Sequence, residues 1–189
     1  MEDSVAAKRT LRARLRATRD TLTPGERGVR VEQASAHLFT FPQWRTARVI
    51  ASYLPHQSEF DPSLLSQEAL GRGVKVAYPR VEGENLRFYE WQAGDATETT
   101  IGNVLQPAGD APIVATADID LFITPLLGCG ISGIRLGYGG GFYDRLFAGA
   151  SGFRLGVGFA IQRVNDWHTE LHDQSLNGFL SEEGLALFE

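Results

Sequence analysis

"IDLFITPLLGCGISGIRLGYGGGFYDRL", residues 119–146, runs from the most apolar segment of the chain into its most glycine-rich one. The first nine residues are short, apolar and bounded, as a strand at the centre of a sheet must be when helices cover both faces. The last residues, "FYDRL", begin the next helix after the glycines. Strand, glycine-rich connection and helix in that order is the repeating unit of an α/β protein.

Working outward, the pattern repeats. Downstream, "FRLGVGFA" (153–160) reads as a strand, and "NGFL" and "LALF" as short terminal strands. Upstream, "ARVIASYL" (47–54) is a buried strand and "VKVAYP" (74–79) the next, while "LRFYEW" (86–91) alternates as a half-exposed strand does. Between them Asp61-Pro62-Ser63 opens a helix that runs to Leu70, with Asp61 as its N-cap. At the N-terminus Leu11, Leu15, Thr18 and Leu22 form one helical stripe. Thr23-Pro24-Gly25-Glu26 is a capping box with proline at the first helical position, opening a second helix with Val31, Ala34, Leu38 and Phe41 inward. Residues 92–118 are polar and expected to be mostly loop. The expectation is α/β: one layered α/β/α domain over residues 1–189, Rossmann-like, with a largely parallel but mixed central sheet.

With 189 residues and 43% hydrophobic content, the chain can bury one sizeable core. Eighteen basic residues against 23 acidic give a net charge of −5, which argues against a general nucleic-acid partner. Cys129 is the one cysteine, so no internal disulfide forms and a reducing, cytoplasmic setting is expected. No apolar run is long enough to span a membrane, and the basic, polar N-terminus lacks the apolar core of a secretion signal. A monomer acting on a small molecule is expected.

Three glycine motifs compete for the central stretch. A phosphate-binding P-loop ends in Lys-Ser or Lys-Thr, and the two lysines, Lys8 and Lys75, stand in no such context. "GCGISG" (128–133) has the spacing of a dinucleotide fingerprint after a strand, but it runs into Ile134, Arg135 and four more glycines where a helix should open. An oxidoreductase built on it stays as an alternative. The third option is a cradle, "RLGYGGGFYD" (135–144). Glycines let successive backbone N–H groups converge on an anion, and Arg135 adds a planar fork of donors for phosphate. Asp144 would be repelled by phosphate unless a divalent cation lies between them. The bland alternative is a glycine-rich turn with packing aromatics and an acid near a helix start.

At these residues the chain resembles the 5-formyltetrahydrofolate cyclo-ligase family. "RLGYGGGFYDR" (135–145) is similar to its signature, and "KRTLR" (8–12), "YLPHQSEFD" (53–61), "AYPRV" (77–81), "LQP" (105–107) and "ELHD" (170–173) follow in the family's order. The resemblance implies that ATP binds Lys8, Arg9, Arg12, Arg135, Leu136, Gly137, Tyr138, Gly139, Gly140, Gly141, Phe142 and Tyr143, with Lys8 and Arg135 acting on the reacting phosphate. It implies folate contacts at Leu54, Glu59, Tyr138, Gly139, Gly140, Gly141 and Phe142, and Mg²⁺ at Asp144 and Asp173. Glu59 stands just past a strand's C-terminal end, where ligands bind open α/β sheets, and its carboxylate can accept from the amide-like edge of a pterin. Arg14, Arg16 and Arg19 read as a solvated helix face.

The implied reaction closes 5-formyltetrahydrofolate, with or without a polyglutamate tail, to the 5,10-methenyl form as ATP becomes ADP and phosphate. A non-catalytic ATP- or folate-binding protein is the alternative. Cys129, Gly130 and Asn177 depart from the family, which tends to have an aromatic and then an acid at the first two positions and an acid at the third. His168 and His172 lack the glutamate placement of a zinc motif, and Cys129 has no evident base.

Overall fold

The computed structural model describes residues 2–100, 104–170 and 173–188, with side chains from residue 5 onward. Three helices come first, α1 (Glu2–Asp20), α2 (Pro24–Leu38) and α3 (Pro42–Thr46), followed by β1 (Val49–Ala51) and α4 (Ser63–Gly71). A hairpin of β2 (Lys75–Glu82) and β3 (Asn85–Glu90) and a second of β4 (Thr97–Thr100) and β5 (Val104–Pro107) lead to β6 (Ile113–Val114). Then come β7 (Leu121–Pro125), β8 (Gly128–Gly130), β9 (Arg135–Leu136), α5 (Phe142–Phe147), β10 (Phe153–Val157), β11 (Arg163–Val164), β12 (Gly178–Ser181) and β13 (Gly184–Leu187).

The main sheet has eight strands in the order β13-β12-β10-β7-β1-β2-β3-β6. Its centre, β12-β10-β7-β1-β2, is parallel throughout, and the antiparallel strands lie at the two edges. The apolar run expected at the centre is β7, paired with β1 on one side and β10 on the other. Its alternate side chains separate two cores. Leu121 and Ile123 pack with Val31 and Leu38 of α2 and Leu65 of α4, whereas Phe122 packs with Phe147 of α5. Helices therefore cover both faces, and each fully buried Leu, Ile or Phe contributes about 1.5–3 kcal/mol over exposure.

Topology places the site. From β1 the chain crosses through α4 to β2, and from β7 it passes through α5 to β10, on the opposite side. The strand order thus reverses between β1 and β7. Their C-terminal ends open into a crevice, the place where open α/β sheets bind ligands.

Several local expectations need correction. Residues 92–118 are not mostly loop: the threonine-rich β4 pairs with β5 from Thr97↔Pro107 to Thr100↔Val104, since β-branched residues suit a pleated ribbon even without an apolar face. α2 stops at Leu38, and the buried Phe41 is the N-cap of α3, because the residue before Pro42 is held out of helical geometry. As its run into further glycines implied, "GCGISG" opens no helix; Gly128–Gly130 is β8, antiparallel to β9, with Gly133 at φ +87° in the turn. The inward stripe of α1 also differs. Lys8, Leu15, Arg19 and Leu22 are buried, Leu11 is half-buried, and Thr18 faces solvent. By contrast, the Thr23–Glu26 capping box forms as expected; the N-cap of α4 is Pro62 rather than Asp61, which sits one residue earlier and accepts the Ser63 N–H at 2.9 Å.

Candidate active site

A cavity of about 590 Å³ occupies the crevice. One wall is the β1–α4 connection with Tyr53, Leu54, His56 and Glu59; another is the glycine loop. α1 contributes Lys8, Arg12 and Arg16, β4 and β5 contribute Thr100 and Gln106, and the segment before β12 contributes Trp167, Glu170 and Asp173.

Arg135, on β9, is 7% exposed and donates from Nη2 to Asp144 at 3.3 Å and from Nη1 to the Pro125 carbonyl at 3.3 Å. Its guanidinium lies 5.1 Å from the centroid of the Tyr143 ring. Nε has no hydrogen-bond partner among the described residues, so the buried fork keeps a donor in reserve. Burial pulls its proton affinity below the usual arginine range, against the attraction of Asp144. Lys8 is the second buried cation, with Nζ at 2.7 Å from Asp173 and 2.8 Å from Glu170. Burial works against its charge, but the two carboxylates outweigh it and raise its pKa.

The glycine loop joins these cations. Gly139 has φ +105° and Gly141 φ +68°, conformations that side chains resist. Arg12 Nε donates to the Gly137 carbonyl and Arg145 Nη2 to the Gly140 carbonyl, both at 2.9 Å, which occupies two of the loop's carbonyls. Its following helix, α5, has only six residues, so a macrodipole adds little there.

Facing the loop, Glu59 is 9% exposed and accepts the His56 N–H at 2.9 Å. Burial raises its pKa; hydrogen bonds from Tyr138 and the His56 backbone and the charge of Arg19 act the other way. Burial likewise pushes up the hydroxyls of Tyr138 and Tyr143.

Of the residues singled out in the sequence, Lys8, Arg12, Leu54, Glu59, residues 135–144 and Asp173 all line this one cavity. Arg9 does not; it is exposed on the outer side of α1. Arg19, assigned to the solvated face, is misplaced by that reading at 1% exposed. Arg16 is exposed as expected, yet it also lines the cavity with its guanidinium 5.5 Å from the centroid of the Tyr138 ring. Arg14 is exposed.

Asp144 and Asp173 offer hard oxygens at the same wall, each beside a cation. Among the described residues no three His, Cys, Asp or Glu side chains form a ready cage, so a metal held here would draw further ligands from a bound phosphate or water. Cys129 is buried and its thiol is pushed up to about 12 by burial, which leaves it inert as a nucleophile. His168 is exposed and His172 lies outside the described residues. Asn177 exchanges hydrogen bonds with the Arg154 backbone, at 2.9 Å each way, tying β10 to the segment before β12 rather than entering the cavity.

Trp167, Glu170 and Gln106 were not anticipated. Gln106 has the clearest role: its carbonyl oxygen accepts from the Val81 N–H at 3.1 Å, which docks the β4–β5 hairpin on β2, and its amide donates to Glu98 of β4 at 2.8 Å, within the hairpin.

The sequence model of the 5-formyltetrahydrofolate cyclo-ligase family matches residues 4–182. The chain belongs to this family. Among curated members, the 5-formyltetrahydrofolate cyclo-ligase of Escherichia coli K12 is 29% identical over 135 residues, covering 69% of this chain and 74% of that protein. The Haemophilus influenzae cyclo-ligase is 24% identical over 176 residues, 89% of this chain and 94% of that one. The fold is shared with the 5,10-methenyltetrahydrofolate synthetase of Aquifex aeolicus, at a TM-score of 0.83 and 24% identity over 96% of this chain and 93% of that one. The Mycoplasma pneumoniae synthetase superposes at 0.75 with 20% identity, over 93% and 98% of the two chains. Family membership makes the protein an enzyme of the cyclo-ligase type, and no helix in the described residues is long and apolar enough to cross a membrane.

Proposed function

We propose that the protein closes 5-formyltetrahydrofolate to 5,10-methenyltetrahydrofolate at the expense of ATP, with Mg²⁺, in the cavity between α1, the β1–α4 connection and the glycine loop. The observation that carries this reading is the convergence of two buried cations, Arg135 and Lys8, with two carboxylates, Asp144 and Asp173, at one wall opposite Glu59. That wall has the charges for a nucleotide's phosphates. The opposite wall has a desolvated acceptor for a heterocycle with paired N–H donors.

The chemistry explains the division. A formamide oxygen is a poor leaving group. Transfer of a phosphoryl group to it, with ADP departing, makes it a good one. The N10 lone pair then bonds to the formyl carbon, the C–O bond breaks, phosphate leaves with its electrons, and the N10 proton is lost. The protein's part is alignment and charge stabilisation. Arg135 and the loop N–H groups donate to the transferring oxygens, and Lys8 offsets charge on the polyphosphate. Arg12 fixes the loop by its bond to Gly137. Glu59 and Leu54 orient the pterin. Mg²⁺ held by Asp144 and Asp173 would compensate phosphate charge. No thiol or histidine base is required. The buried Cys129 suits a reducing compartment such as the cytoplasm.

Purified protein with 5-formyltetrahydrofolate, ATP and Mg²⁺ should generate the near-ultraviolet absorbance of the methenyl product. Omitting ATP or adding EDTA should abolish it. Equal rates in EDTA would remove the metal from the reading, and product without ATP would remove phosphorylation.

A further inference from the structure

Arg19 is a large cation placed where cations are costly. It is 1% exposed, on the inward stripe of α1, and it lies behind the cavity wall rather than in it. One of its terminal nitrogens, Nη2, has no partner among the described residues. A buried, incompletely satisfied guanidinium weakens a fold compared with a well-packed apolar residue.

Its two bonds suggest why it is there. Nη1 donates to the Tyr138 hydroxyl oxygen at 2.9 Å, and Nε donates to Ser58 Oγ at 3.0 Å. Arginine only donates, so both hydroxyls must accept from it and turn their single protons elsewhere. Ser58 sends its proton to Asp20, and the Tyr138 hydroxyl must turn its proton away from Arg19, with Glu59 close enough for its charge to act on that hydroxyl. Arg19 thereby bridges the glycine loop, through Tyr138, to the β1–α4 connection, through Ser58. Glu59 accepts the His56 N–H at 2.9 Å, a bond that favours its ionised form.

We propose that Arg19 is a positioning residue for folate recognition. By donating to Tyr138 on the glycine loop and to Ser58 on the β1–α4 connection, it locks the two segments together beside Glu59, the residue that faces the substrate. The folate assignment rests on the function proposed above; the lock itself does not. Arg16, 5.5 Å from the centroid of the Tyr138 ring, touches the ring and leaves the hydroxyl to Arg19.

Glu59 is faced by Arg19 from α1, by Tyr138 from the glycine loop, by Tyr143 from α5, and by His56 and Tyr53 from its own connection. Burial already raises its pKa, and Arg19 opposes that rise. Replacing Arg19 by a neutral residue moves the Glu59 titration to higher pH, so folate binding is lost at a less acidic pH than in the parent.

The test is a double-mutant cycle on the dissociation constant of 5-formyltetrahydrofolate, using R19Q, Y138F and the pair. R19Q should weaken folate binding about tenfold, the scale of a hydrogen bond to a charged group, and R19K should recover part of that. The double variant should bind folate no worse than the weaker-binding single one, since both substitutions break the same lock. Additive losses overturn the proposal and leave Arg19 a structural residue. Carboxyl NMR titration of Glu59 in the ligand-free protein reads the lock directly. An upward shift in R19Q supports it, and an unmoved midpoint refutes it, even if the parent protein binds no folate and the proposed function falls.

Discussion

Turnover of Arg135→Lys is expected to fall by on the order of 10²–10³, the cost of removing one preorganised donor from a developing charge. The substitution keeps a positive charge but exchanges a planar fork for a single ammonium. Arg135 bonds to Asp144 and Pro125 and lies over Tyr143, while Nε remains unpartnered among the described residues. A lysine cannot keep these bonds and also donate to a phosphoryl oxygen. Stability should drop by about 1–3 kcal/mol, since the site is buried and Asp144 loses a partner. Steady-state rates and thermal melts of the one variant separate the effects. Near-normal turnover with a lowered melting temperature would reduce Arg135 to a structural cation.

Asp144→Asn should lower turnover by about two orders of magnitude, because asparagine keeps the shape but removes the charge that would hold Mg²⁺ against phosphate. As an acid near a helix start alone, Asp144 would be worth only about 0.3–1 kcal/mol. The structure changes that expectation. Its carboxylate is the ion-pair partner of a buried guanidinium at 3.3 Å, and its other oxygen accepts the Gln174 N–H at 3.4 Å. A stability loss of about 1–3 kcal/mol therefore accompanies the kinetic one. Raising Mg²⁺ should restore part of the rate and none of the unliganded stability. Turnover unaffected by the substitution would make the Arg135–Asp144 pair purely structural.

How much was legible beforehand follows from what kind of signal each element carries. β7 and β1 were readable because strands buried on both faces must be apolar throughout. The glycine loop was readable as a tight turn because Gly139 and Gly141 meet a backbone need no other residue meets well. The β4–β5 hairpin was hidden, since a ribbon of threonines and polar residues has the composition of a loop. Arg19 was hidden by its charge: a run of basic residues reads as solvated. Yet a signal existed in spacing. Arg19 stands four residues after Leu15 and three before Leu22, on the apolar stripe, as Lys8 stands seven before Leu15. Position on the stripe, not residue type, marked the buried cations. Arg9 and Arg16 show the same lesson reversed, for Arg9 falls in the matched motif but points away, and Arg16 falls outside it but reaches Tyr138.

The central claim is that the formyl oxygen itself is phosphorylated in the cavity between Arg135 and Glu59. It is tested by supplying 5-formyltetrahydrofolate labelled with oxygen-18 in the formyl group, with unlabelled ATP and Mg²⁺, and weighing the inorganic phosphate released. The account predicts one labelled oxygen in each phosphate for each methenyl product formed; label appearing in water, with unlabelled phosphate, would contradict it.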